Sequence, residues 1–273
     1  DINLINTANI SDTFQVFLEA LQQQGNNIIT SFRSSYVSDI FANYIYTDFD
    51  PSVVKKAKYK RYYLESGGTL FNFLSVDSIF GLQTFSYLKA NTDYRYYFPV
   101  NRRSTLAFRI NLGAAYPLSI STTLPYEKYF FAGGTNSVRA WQPRRLGPGS
   151  YAPLDEEGEI NYRFERPGEL LLESSLEYRF PIIGFFEGAT FIDLGNVWML
   201  TKDNSRPGAE FKPSGFLSEI AVGTGVGLRL NLSFLVLRLD LGIKAYDPAL
   251  KSFAPFNKIL KDIVLNIGIG YPF

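Results

Sequence analysis

Side chains in this chain alternate strictly between apolar and polar or small, over stretches too long for an ordinary soluble sheet. Near residue 110, Leu106, Phe108, Ile110, Leu112, Ala114 and Tyr116 share one face, and Ala107, Arg109, Asn111 and Gly113 share the other. Later copies set Leu170, Leu172, Leu176, Tyr178 and Phe180 against Glu169, Glu173, Glu177 and Arg179. Val222, Val226, Leu228 and Leu230 oppose Gly223, Gly225, Gly227, Arg229 and Asn231, and Leu235, Leu237, Leu239, Leu241 and Ile243 oppose Arg238, Asp240 and Lys244. In the last copy Ile263, Leu265, Ile267, Ile269, Tyr271 and Phe273 alternate with Val264, Asn266, Gly268 and Gly270. Period two marks a strand with two unlike faces. Alternation alone suits a sandwich as well as a barrel, but length separates them. Several segments run for about eleven to sixteen residues, against the usual five or six, which is enough to cross a bilayer at a tilt.

The pattern predicts strands near 35–47, 57–71, 83–98, 104–116, 169–181, 187–200, 218–231, 234–246 and 263–273. The connections around 48–56, 99–103, 182–186 and 232–233 are short, whereas those around 72–82, 117–168, 201–217 and 247–262 are long. Short turns on the periplasmic side and long loops outside is the outer-membrane arrangement, which puts 117–168 outside and the carboxyl terminus on the periplasmic side. An odd count of about nine strands implies that others precede residue 1, because bacterial single-chain barrels are usually even. Residues 1–34 are expected to form an exterior segment before these strands. Within it the spacing of Phe14, Phe17, Leu18 and Leu21 predicts a helix over 11–24, capped by Ser11 or Asp12. Residues 35–273 are expected to form the antiparallel transmembrane β-barrel. Asp1, with neither the charged start nor the apolar core of a signal peptide, is expected of a processed or truncated chain.

Composition narrows the classes further. Aromatics make up 16% of the chain while mean hydropathy is −0.04, a combination suited to membrane barrels. No run of about eighteen uncharged apolar residues is available for a spanning helix, so only a closed barrel satisfies its backbone in lipid. A net charge of +1 argues against nucleic acid as a partner. The absence of His removes Ser-His-Asp catalysis and His metal ligands, and the absence of Cys removes disulfides and thiolate sites. No enzyme activity and no cofactor are expected. The basic run Lys55, Lys56, Lys58, Lys60 and Arg61 reads as a solvated strand end or as a contact with lipid phosphates. The acidic cluster Asp155, Glu156, Glu157 and Glu159 reads as a solvated loop, or as oxygen ligands for a divalent cation.

The most specific stretch is FFAGGTNSVRAWQPRRLGPG, residues 130–149. It resembles the sixth exterior loop of the BamA/TamA superfamily of outer-membrane insertases, whose tip carries a Gly-Gly pair and then Val-Arg-Gly-aromatic. The matching residues are Gly133, Gly134, Val138, Arg139 and Trp141. Ala140 stands where the family usually has Gly, and it would be strained by about a kilocalorie if a positive φ were required there. Phe191, Asp193, Gly195 and Trp198 in TFIDLGNVW resemble the family's strand motif. The resemblance implies that loop 117–168 folds into the lumen, where Arg139 meets Asp193 and Glu177. Strand parity agrees, since both carboxylates fall on the polar side. The alternative for Arg139 is a solvated loop arginine. Tyr271 and Phe273 end the chain on the alternating, aromatic-terminated pattern that resembles the outer-membrane assembly signal, and equally fits a last strand with an aromatic at the membrane interface. The resemblance also implies a seam between the last and first strands, where clients pair by strand addition.

For the chain as a whole, the resemblance implies the carboxy-terminal part of a barrel of about 16 strands in the bacterial outer membrane. Such a barrel would insert or translocate other outer-membrane proteins, in contact with membrane lipids, client proteins and periplasmic or lipoprotein accessory subunits. A secretion pore of the same superfamily and a passive porin are the alternatives.

Overall fold

The computed structural model describes residues 2–5, 15, 16, 19, 35–50, 54–68, 74, 78, 79, 82–118, 123–154, 160–162, 164–232, 234–253 and 262–273. Its strands are β1 (Ile2–Ile5), β2 (Ser35–Thr47), β3 (Ala57–Gly67), β4 (Ser78–Ile79), β5 (Leu82–Thr84), β6 (Tyr87–Pro99), β7 (Thr105–Pro117), β8 (Leu170–Ile183), β9 (Phe186–Trp198), β10 (Ala221–Asn231), β11 (Val236–Asp247), β12 (Ser252–Phe253) and β13 (Val264–Ile269). They form one sheet in which β2, β3, β6, β7, β8, β9, β10, β11 and β13 follow one another as antiparallel neighbours. Among the named strands described, the one parallel pairing joins Ser35–Tyr36 to Gln83–Thr84. The long strands run 11 to 14 residues, and β13 runs 6.

All nine expected strands have a counterpart. The stretch expected as one strand over 83–98 divides at Phe85–Ser86 into β5 and β6. The strand expected over 57–71 stops at Gly67, because Gly68 turns the chain at φ +58°. The last strand stops at Ile269 rather than Phe273, where Gly270 adopts φ +80° and donates its N–H to the Val236 carbonyl at 2.8 Å. Strands β1, β4 and β12 are too short to show a period. Of the helix expected over 11–24, residues 15, 16 and 19 are helical and exposed, with Gln15 Nε2 donating to Glu19 Oε1 at 3.1 Å. The rest of that segment lies outside the described residues.

The two sheet faces are inverted relative to a soluble protein. The buried face carries Asp93, Arg109, Asn111, Glu173, Glu177, Arg179, Asp193, Arg229, Arg238, Asp240 and Asn266. The outward face carries Leu88, Phe108, Leu112, Leu176, Ile192, Val226, Leu228, Leu239, Leu241, Leu265 and Ile267. A continuous apolar exterior of this extent has no stable place in water, and in a bilayer it is the favoured surface, since the strand ladders already satisfy the backbone.

Candidate functional site

The described residues of the connection after β7, 123–154, 160–162 and 164–168, include a tip that lies against the inner face of the sheet. The segment is pinned at its base by paired hydrogen bonds between Phe130 and Gly168 (2.8 and 2.9 Å) and by Leu146 N–H to the Ala132 carbonyl (3.1 Å). Its tip reverses at Gly133 and Gly134, with φ of +100° and +103°, a region that side-chain-bearing residues avoid. Gly134 N–H then reaches the Trp141 carbonyl at 2.9 Å, and Gly133 N–H reaches Ser137 Oγ at 2.8 Å. Val138, Ala140, Trp141 and Leu146 are buried in one cluster with Ala115, Leu171, Val197 and Ala221 of the strands. Burial of these side chains supplies affinity of loop for sheet without direction, and the polar groups set the direction.

Arg139, 1% exposed, is the centre of that polar set. Its Nε and Nη2 donate to Asp193 Oδ2 and Oδ1 at 2.8 and 2.9 Å, a two-pronged pairing, and its backbone N–H adds a third bond to Oδ2 at 3.1 Å. Its Nη1 donates to Glu177 Oε2 at 2.5 Å and lies 3.4 Å from Asp240 Oδ2. The guanidinium carbon sits 3.4 Å from the Phe191 ring centroid, so the flat cation is stacked as well as paired. Burial by itself would lower the Arg139 pKa, but Asp193, Glu177 and Asp240 outweigh it and hold the group above its ordinary value. The arginine is therefore permanently charged.

The pairing extends past the residues the motif indicates. Glu177 also receives Arg179 Nε at 2.8 Å and Arg229 Nη2 at 3.2 Å, and Asp240 receives Arg229 Nη1 at 2.5 Å. Glu177, Asp193 and Asp240 thus each meet a guanidinium, as buried charge requires. Arg109 Nη1 donates to the Asn136 carbonyl at 2.7 Å, while Arg238 holds the Thr135 carbonyl at 3.0 Å and Asn136 Oδ1 at 2.8 Å. Ser137 donates to Glu173. Asn266 of β13 donates to the Arg139 carbonyl at 2.9 Å. The loop is accordingly held by β7, β8, β9, β11 and β13. Arg109, Glu173, Arg229, Arg238, Asp240 and Asn266 all stand at polar positions of the alternation. That parity marked them as inward-facing, but no sequence spacing says which of them meet the loop.

Ala140 is not strained. Among the described residues the non-glycines with positive φ are Arg144 and Lys251, and Ala140 fits because Gly223 and Gly242 on the strands opposite lack side chains. A Cβ at Gly223 would lie 2.8 Å from the Ala140 Cβ, and one at Gly242 would lie 2.3 Å from the Arg139 carbonyl oxygen. Of the strand motif, Phe191 and Asp193 contact Arg139, and Gly195 faces Val138. Trp198 has the opposite parity and packs with Phe211 and Phe216, its Nε1 donating to Glu219 at 2.7 Å. The chain end turns inward. Phe273 is buried with Ala57, Tyr97 and Ala107, and its carbonyl accepts from Arg179 Nη2 at 3.0 Å. Tyr271 donates to Glu187 at 2.9 Å, beneath the Arg179 guanidinium. The acidic cluster 155–159 lies outside the described residues.

A sheet with an apolar exterior, a charged interior and a loop folded into that interior defines an outer-membrane-type β-barrel with an internal loop. Residues 60–273 match the Omp85 superfamily domain, and the chain belongs to that superfamily. It is 30% identical over 118 residues to the outer membrane protein assembly factor BamA of Neisseria meningitidis serogroup B, a match covering 41% of this chain and 14% of that relative. The chain thus spans a small part of the relative's length. Its fold is similar to that of BamA from Haemophilus ducreyi lacking POTRA domains 1–3, with a TM-score of 0.53 at 17% identity, covering 87% of this chain and 42% of the other. CdiB from Acinetobacter baumannii aligns with a TM-score of 0.37 at 15% identity over 86% of this chain and 42% of the other.

Proposed function

We propose that this chain is the carboxy-terminal part of a bacterial outer-membrane barrel of about 16 strands that helps insert or translocate other outer-membrane proteins, without covalent chemistry, and that Arg139 latches its internal loop. The observation that carries the reading is the Arg139 cluster, in which one loop residue engages carboxylates on β8, β9 and β11. A loop fixed to this many strands acts as an internal strut, so the barrel's shape and the loop's position are coupled. Packing of Val138, Ala140, Trp141 and Leu146 in the interior weighs against a passive porin, whose interior is water-filled.

In this reading β13 lies at a lateral seam. Among the described residues its ladder runs along β11 only, over Leu237–Gly242, and Gly268 and Gly270 limit how firmly it pairs. Tyr271 and Phe273 would serve as the assembly signal during the barrel's own biogenesis before they turn inward. Client proteins and periplasmic or lipoprotein subunits are the expected partners. The test is to reconstitute the full-length protein in vesicles and follow folding of an unfolded client barrel. Accelerated client folding that is lost in Arg139→Ala supports the proposal. Solute conductance with no effect on any client, unchanged in Arg139→Ala, would overturn it. Export of one dedicated partner alone would move the assignment to a secretion pore.

A further inference from the structure

The basic run near the start of β3 has no part in the loop cluster, and the sheet register shows where its members go. Lys58 pairs across the sheet with Tyr96 and Lys60 with Tyr94, on the same outward parity as Tyr62 and Leu64. Arg61 has the opposite parity and turns to Asn43, with Nε 3.1 Å from Oδ1. The Lys56 ammonium stands 5.7 Å from the Tyr96 ring centroid and 5.4 Å from that of Phe98, Lys58 is 5.8 Å from Tyr96, and Lys60 is 5.8 Å from Tyr94. Arg102 and Arg103 are exposed in the adjoining β6–β7 turn. Moving away from the turns, the outward row passes from cations to Tyr62 and then to Leu64. On β2 it passes from Tyr46 and Tyr44 to Ile40.

Cation, then ring, then aliphatic is the order of a membrane interface met from the water side. Among the described residues no carboxylate lies within ion-pairing distance of Lys56, Lys58 or Lys60, although the inward-facing Lys128 pairs with Asp39 and Glu65. The nearby Asp48 accepts the Lys58 backbone N–H at 2.5 Å. Three ammonium groups on ring faces at the edge of an apolar wall therefore await an anion at the depth of lipid headgroups, where lysine stems lie on apolar surface and their heads reach outward.

We infer that the short-turn end of the outward face is a binding site for anionic phospholipid headgroups, formed by Lys56, Lys58 and Lys60 with Tyr94, Tyr96 and Phe98. The inference rests on the membrane-spanning reading of the sheet, and not on the loop latch. Its occupant is a phosphodiester lipid of net negative charge, held by charge and by N–H to phosphate hydrogen bonds, with its chains along Tyr62 and Leu64. Selectivity is for charge, so it weakens as salt rises.

The test is native mass spectrometry of the full-length protein in detergent, titrated with phosphatidylglycerol and phosphatidylcholine of matched chains. Wild type is expected to bind phosphatidylglycerol more tightly. Each lysine near a charged membrane surface contributes about fivefold, so the K56Q/K58Q/K60Q variant should lose at least about fivefold of that preference. Lys251→Gln, at the long-loop end, should keep it. Equal affinities in wild type, or a preference that survives the triple substitution, would overturn the site. If the triple variant does not fold, the single variants K58Q and K60Q decide through stepwise losses, and their absence counts against the site. Client folding measured in parallel separates the two readings, because equal lipid affinities in wild type with intact client folding remove this site and leave the assembly role standing.

Discussion

Removing the Arg139 side chain should cost stability in a way that identifies which carboxylate depends on it. Glu177 would keep Arg179 and Arg229, and Asp240 would keep Arg229 and Arg238. Asp193 is different, because every hydrogen bond its carboxylate receives among the described residues comes from Arg139. Arg139→Ala therefore leaves one buried, largely unpaired charge, with an expected cost of about 3–5 kcal/mol. Adding Asp193→Asn to Arg139→Ala should recover about 1–3 kcal/mol, the desolvation cost of the orphaned group, whereas adding Glu177→Gln should recover none, since it strips two other arginines of a partner. Arg139→Lys should fall between wild type and Arg139→Ala, since lysine keeps the charge without the planar fork. The assay is denaturant unfolding in detergent followed by tryptophan emission. Trp141 in the loop and Trp198 beside Gly149 are 1% and 0% exposed, so release of the loop shifts their emission to the red. An Arg139→Ala variant within about 1 kcal/mol of wild type, or one rescued equally by Glu177→Gln and Asp193→Asn, would refute the reasoning.

Three further outcomes are expected. Asn266→Leu deletes the bond to the Arg139 carbonyl and should cost about 1–3 kcal/mol, with faster amide exchange in β13 and the loop tip but little change in β6; uniform protection would argue against the tie. Ala140→Leu, facing Gly223 and Gly242, should destabilise by about 1–3 kcal/mol through overpacking, and Ala140→Gly by about 0.4–1 kcal/mol because Ala140 has negative φ, both read from unfolding midpoints. In the connection after β9, burial raises the Asp203 pKa but Arg206 and Ser205 outweigh it, holding the carboxyl below its ordinary value. A depressed folded pKa means its stabilisation is present above the unfolded value of about 3.9 and is lost as pH falls through the folded value. Proteolytic protection of residues 201–217 should therefore fall with acid in wild type, and Asp203→Asn should lack that dependence.

Much of this molecule is legible in its residues because a strand's parity is set locally. The alternation around Arg109, Glu177 and Asp240 assigns each to the inner face before any contact is known, and the run of hydrophobic positions opposite them fixes which surface is the apolar exterior. The Gly133–Gly134 pair and Arg139 likewise stand out as a turn followed closely by a cation in a long loop. What the chain does not state locally is who meets whom across the interior. Asp240 and Asn266 lie 101 and 127 residues from Arg139, and no period or spacing relates them to it; curvature of the sheet brings them to the same point. The same holds at the ends of elements. Tyr271 and Phe273 continue the alternation, yet Gly270 breaks the ladder and Arg179 draws the terminus inward, while Ala140 escapes strain because two glycines on separate strands make room for it. Local sequence determined the strands and their faces, since each depends on a residue's immediate neighbours. Only the tertiary structure decided the partners of the buried charges, because pairing across a barrel depends on strand order, register and closure summed over the whole sheet.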